Sequence, residues 1–155
     1  MTTVTVPTFG DLLREHLDGV PRSAYPYLLS CLERTAAQRY RGWAEAVPEH
    51  RDGLLACAGR EDEIADRVQA LFPPSADDKA MVEAVMPAAK QTYYDVFEGH
   101  DPFEQMFIQA DAEKQGSQAW QNMKAAYPEH SAAMDALTAL ELESGRYLDA
   151  LLADR

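Results

Sequence analysis

Apolar residues along this chain recur at every third or fourth position, the spacing that lines one face of an α-helix. Nowhere do they alternate with the period of two that marks a half-buried strand. The pattern predicts a short helix over 9–17, with Phe9, Leu12, Leu13 and Leu17 on one face, Thr8 as its cap, and Asp18-Gly19 and Pro21 as its end. Ser23 reads as the cap of a long helix to about Ala46, whose stripe is Tyr25, Leu28, Leu29, Leu32, Ala36, Tyr40 and Trp43. Pro48 ends that helix and suits the first turn of the next, about 49–72, with Leu54, Cys57, Ala58, Glu61, Ile64, Ala65, Val68 and Leu71 inward.

After the stop at Phe72-Pro73-Pro74-Ser75, Asp77 or Asp78 starts a helix to about Phe97. It turns Met81, Val85, Ala88, Ala89, Tyr93 and Val96 inward, and Pro87 predicts a kink. Asp101-Pro102 followed by Glu104 is a helix start, with an acidic cap, proline in the first turn and a carboxylate near the positive end. Phe103, Met106, Phe107, Ala110, Trp120 and Met123 are its apolar positions. Beyond Pro128 a last helix runs to about Leu152, with Met134, Leu137, Leu140, Glu141, Leu148 and Leu151 inward.

These elements make an all-α chain of one domain over 1–155: a short N-terminal helix, a hairpin at about 24–72, a helical crossover at about 77–98, and a second hairpin at about 102–152. Two hairpins with one apolar stripe each bury those stripes best as a four-helix bundle. The hairpins also repeat each other. Laid over one another without a gap, 33–72 and 113–152 are identical at eleven of forty positions, against about three for unrelated sequences of ordinary composition. The matches include Glu33 with Glu113, Pro48-Glu49-His50 with Pro128-Glu129-His130, Glu61 with Glu141, and Glu63 with Glu143.

The net charge of −12 argues against a nucleic-acid partner, which needs a basic face to displace counterions, and against an anionic membrane surface. No stretch approaches the ~20 apolar residues of a membrane span. No basic segment followed by an apolar run opens the chain, so no signal peptide is expected. Cys31 and Cys57 lie in helical stretches and read as small buried residues rather than a disulfide framework. A cytoplasmic protein is the expectation. Nucleophile elbow, phosphate loop and Cys-x-x-Cys motifs are all absent.

What changes the picture is the glutamates. An ionised carboxylate in an apolar core is costly, so one on an inward stripe asks for a partner. Glu61 lies among Cys57, Ala58, Ile64 and Ala65, and Glu141 holds the matching place between Leu137 and Leu148. Glu113 shares a face with Ala110, Ser117 and Trp120, and Glu33 has Ser30, Ala37 and Tyr40 about it. One glutamate per helix, duplicated across two hairpins, can converge on a cation. The residue-level alternatives are a bridge from Arg or Lys, a hydrogen bond from Tyr40 or Trp120, or, for Glu33 and Glu113, a turn toward solvent beside Arg34 and Lys114.

This arrangement over about 24–152 resembles the ferritin-like superfamily, whose di-iron members carry a Glu on each first helix and Glu-x-x-His on each second. The resemblance implies a bundle holding two metal ions, with Glu33 and Glu113 as first-helix ligands and Glu61 and Glu141 as the motif glutamates. It departs at the histidines, where Ile64 and Ser144 stand; shifting the motif to Glu63 and Glu143 gives Asp66 and Arg146 instead. His50 and His130 lie eleven residues before Glu61 and Glu141, or ~16 Å along a helix. A nitrogen-free set holds iron, manganese, magnesium or calcium through oxygen alone, and a di-metal oxidoreductase loses support. Two other expectations stand beside it. One is a metal-free ferritin-like scaffold, compatible with a homodimer. The other is a helical small-molecule binder walled by Tyr40, Trp43 and Trp120.

Overall fold

The computed structural model describes residues 3–155. It contains six α-helices: α1 (Phe9–Arg14), α2 (Tyr25–Ala46), α3 (Arg51–Leu71), α4 (Ala76–Phe97), α5 (Pro102–Ala126) and α6 (Ser131–Ala153). No strand occurs among the described residues, and none of the helices is long and apolar enough to cross a membrane. The chain forms two compact units. One is Pro7–Glu98; the other is Gly99–Arg155 with the described residues before Pro7.

In the first unit α2 and α3 pair as a hairpin, α4 lies against α2, and α1 lies against α4. Leu13, Val20, Ala24, Leu28, Leu32 and Val82 make one buried cluster. Toward the turn, Tyr40 and Trp43 meet edge to face at 5.2 Å between ring centroids, and Trp43 packs on Phe97 at 6.2 Å. Tyr40, Trp43 and Phe97 are all buried in the core of this unit. In the second unit α5 and α6 pair in the same way, around Met106, Ile108, Ala110, Trp120, Met134, Leu137 and Leu148.

The repeat extends to the backbone. Each hairpin turns through a single 3-10 turn, Pro48–His50 or Pro128–His130. In both, the residue before the proline closes the preceding helix: Val47 N–H donates to the Trp43 carbonyl at 2.8 Å, and Tyr127 N–H to the Met123 carbonyl at 2.9 Å. Dihedral angles agree as well, −129° and 74° at Val47 against −131° and 65° at Tyr127.

Several local expectations need correction. The prolines at 48 and 128 lie in the 3-10 turns, and α3 and α6 begin three residues later. The first helix stops at Arg14 rather than Leu17, and Thr8 holds the cap position without a side-chain capping bond. Ser23 lies inside a 3-10 turn, Arg22–Ala24, that leads into α2. Ser75, not Asp77 or Asp78, caps α4, its Oγ accepting from the Asp78 N–H at 3.1 Å. Asp101 does cap α5, accepting from the N–H groups of Phe103 and Glu104. The buried face of α4 is Val82, Ala89 and Phe97, so Met81 and Ala88 are exposed, and Phe107 on α5 is exposed as well. The α4 stripe was hard to phase because alanine and proline make that helix apolar on most of its circumference.

Charged residues fasten the outside of the first hairpin. Arg34 pairs with Asp62 at 3.0 Å and with Asp66, and Arg41 pairs with Asp62. Burial pushes the Asp62 carboxyl up, but the guanidinium groups of Arg41 and Arg34 outweigh it and hold it below the usual aspartate value. A carboxyl held low stabilises the fold above its unfolded value of about 3.9, and that share is lost as pH falls through the folded value. Asp62→Asn therefore melts below the unaltered chain at neutral pH, by roughly 2–4 °C for the ~1 kcal/mol that partly exposed pairs contribute. The gap should close below about pH 4, in melts followed by circular dichroism. A gap of constant size down to about pH 3 would show that Asp62 acts by packing and not by charge.

Candidate functional site

The glutamates singled out by the repeat come from α2 (Glu33), α3 (Glu61), α5 (Glu113) and α6 (Glu141). Three are shut away from water, with relative exposure of 0% at Glu61, 1% at Glu113 and 2% at Glu141; Glu33 is half-buried. Glu63 and Glu143 are exposed, and Glu63 pairs with Arg67 one turn on at 2.7 Å. Two residues round a helix is about 200°, so a stripe that buries the first glutamate turns the second outward.

In the first hairpin, α2 and α3 bring Glu33 and Glu61 together, with a carboxylate oxygen of each within 4.8 Å of the other's. Small neighbours make this approach feasible: Ala36, Ala37, Cys57, Ala58 and Ala65 are all buried around that level of the stripes. Arg34, beside Glu33 in sequence, turns to Asp62 and Asp66. Tyr93 of α4 belongs to the same neighbourhood: burial first, then the charge of Glu33, push its hydroxyl up to about 12, with Arg39 opposing. That phenol keeps its proton at any physiological pH. Two carboxylates at such a separation repel unless a proton, a hydrogen-bond donor or a cation comes between them.

In the second hairpin each buried glutamate lies against a glycine of the facing helix. A methyl group on Gly116 of α5 would stand 2.8 Å from Glu141 Oε1, 3.1 Å from its Cδ and 3.3 Å from Oε2. A methyl group on Gly145 of α6 would stand 3.3 Å from Glu113 Cβ. Each carboxylate also has a donor on α5: Gln109 Nε2 donates to Glu113 Oε1 and Trp120 Nε1 to Glu141 Oε1, both at 2.9 Å. The Trp120 bond is one of the alternatives that the residue pattern left open. With Ser117 and Ser144, these residues form a buried polar seam; the first hairpin has Leu29, Ala36, Ala37, Ile64 and Ala65 at the positions matching Gln109, Gly116, Ser117, Ser144 and Gly145.

Gln109, Gly116 and Gly145 were not found from the sequence. A glycine inside a helix weakens it, but Gly42 and Gly59 stand in the paired helices of the first hairpin with open space over them, so the residue type alone does not mark close packing. What the pattern lacked was the register of α5 against α6, which decides what each glycine faces.

The histidines stay away from the stripes. His50 and His130 belong to the 3-10 turns, His100 pairs with Glu104 at 2.7 Å, and His16 bonds to Thr92 at 2.8 Å. Ile64 and Ser144 are fully buried where the resembled motif has histidine. Neither cysteine is arranged as a nucleophile: Cys57 is buried with Arg60 donating to its sulfur at 3.1 Å, and burial pushes the Cys31 thiol up.

No family model, characterised protein or solved structure matches this chain.

Proposed function

We propose that this chain is a ferritin-like helical protein whose inward glutamates bind a divalent cation through oxygen alone. The observation that carries the reading is the approach of Glu33 and Glu61 to within 4.8 Å where Glu61 has no exposure to solvent. Buried carboxylates normally have a counter-charge, and a cation can serve two at once. The second hairpin supports it: Gly116 leaves a recess that a methyl group would fill, and the carboxylate of Glu141 occupies it. Glu113 and Glu141 are the second hairpin's candidate ligands, Glu33 and Glu61 the first's. Oxygen donors without imidazole or thiolate suit manganese, magnesium or calcium better than zinc or copper, and iron is held less firmly than in a site with histidine. The role that fits is binding or storage of a cation, or its use in structure, rather than redox turnover.

Protein purified without chelator and analysed for metals should carry manganese, iron, magnesium or calcium in near-stoichiometric amount, and the Glu61→Ala/Glu141→Ala double variant should carry little. Equal, near-zero content in both would end this reading. A cation at 100 times its dissociation constant should also raise stability by about 2.7 kcal/mol, roughly 5–10 °C in melting temperature, reversibly with chelator.

One observation favours a second reading. Gln109 and Trp120 already donate hydrogen bonds to Glu113 and Glu141, and both positions that would supply imidazole hold other residues. A metal-free ferritin-like scaffold with internally satisfied carboxylates fits those facts. It predicts one melting temperature with and without chelator, so a single pair of melts separates the two.

A further inference from the structure

Gly116 sits in the interior of α5, where glycine weakens a helix relative to alanine, and alanine occupies the matching position of the first hairpin, Ala36. Gly42 of α2 and Gly59 of α3 have open space where a side chain would stand, whereas Gly116 has a close neighbour there. The Glu141 carboxylate lies directly over Gly116, within 2.8–3.3 Å of where a side chain would begin. One turn further along α5, the Trp120 indole, itself 2% exposed, donates to Glu141 Oε1 at 2.9 Å. Gly116 is the floor under this carboxylate and Trp120 the clamp on one oxygen.

We propose that Gly116 and Trp120 are positioning residues for Glu141, fixing its carboxylate to receive a divalent cation. The inference rests on the metal-binding reading above and assigns residues that neither the repeat nor the resemblance marks. The chemistry of the clamp matters. An indole N–H is a donor only and carries no charge, so it orients the carboxylate without neutralising it. A lysine or arginine in its place would hold the group equally well and cancel the charge that attracts a cation. The first hairpin has Tyr40 at the matching position, whose hydroxyl can donate or accept.

The test uses the full chain, with manganese as the probe, in calorimetric titration and in thermal melts under chelator. Gly116→Ala is the decisive variant. Its methyl group displaces the flexible end of Glu141, not the backbone, and alanine is the better helix former. Its melting temperature under chelator should fall by no more than a few degrees, because the helix gain offsets part of the disturbed Trp120–Glu141 bond, while manganese affinity falls by about 10- to 100-fold, the usual loss when a group that orients a metal ligand is changed. Trp120→Phe keeps the ring, removes the N–H and should lose affinity by a similar factor. In a Trp43→Phe background Trp120 is the only tryptophan, and its emission should be quenched over the same manganese range as the calorimetric binding. Unchanged affinity in both variants, with binding intact in the unaltered chain, overturns this inference and leaves the metal-binding reading standing. If Gly116→Ala lowers the melting temperature at unchanged affinity, the glycine serves packing alone and the inference is again overturned. No manganese binding by the unaltered chain overturns both. Should Gly116→Ala fail to fold, Trp120→Phe decides.

Discussion

Glu61→Gln raises the melting temperature of the chelator-treated protein and lowers its affinity for manganese. Glutamine keeps the size of the side chain and its capacity for hydrogen bonds, so the substitution changes charge and little else. Two unit charges 4.8 Å apart, the outer limit for the Glu33 and Glu61 oxygens, repel by about 3.5 kcal/mol at an effective dielectric of about 20. With partial relaxation, about 1–3 kcal/mol is regained on removing one, or roughly 3–10 °C for a chain of this length. The same charge is what a cation needs, so the gain without metal is matched by weaker binding with it. Melting curves with chelator and with manganese read both effects from one sample. A chelated melting temperature that falls on substitution would mean that the fold itself holds the Glu61 carboxylate, and the cation reading would lose its main support.

Ile64→His has an effect of opposite sign. Ile64 is fully buried three residues after Glu61, on the same stripe. Exchanging isoleucine for imidazole removes apolar contacts and buries a polar ring, at a cost of about 2–4 kcal/mol, so the chelated protein should melt roughly 5–15 °C lower. In return the donor set gains the nitrogen that borderline transition metals favour. Titration with cobalt(II) should give visible ligand-field absorption that the unaltered chain lacks, and cobalt should restore much of the lost melting temperature. Loss of stability with no cobalt response would place this position out of reach of any metal held by Glu61.

The helices were legible because their apolar stripes are long: Leu28, Leu32, Ala36, Tyr40 and Trp43 on α2 are buried as their spacing requires. Burial of Glu61 and Glu141 followed from the same periodicity. Glu33 lies at the edge of its stripe, and half-burial is what an edge position gives. Caps were legible only in part. Asp101 stands directly before a proline and three residues before a glutamate, whereas Ser75 follows two prolines, and Asp77 and Asp78 after it offer equally plausible acidic caps. The 3-10 turns escaped because Pro-Glu-His suits a first α-turn as well as a 3-10 turn, and only the angles at Val47 and Tyr127 tell them apart. The polar seam of the second hairpin depends on which residues of α5 and α6 face each other. Period gives the face of a helix but not its height against a neighbour.

Those two matching turns carry a consequence for how the chain reaches its structure. Each hairpin closes on itself through a turn of three residues, so most of its packing joins residues not far apart in sequence. Little loop entropy opposes such contacts, and helical chains of this kind collapse to their native pairing in microseconds to milliseconds. The two halves need not wait for one another: α2 can find α3 and α5 can find α6 through contacts of their own.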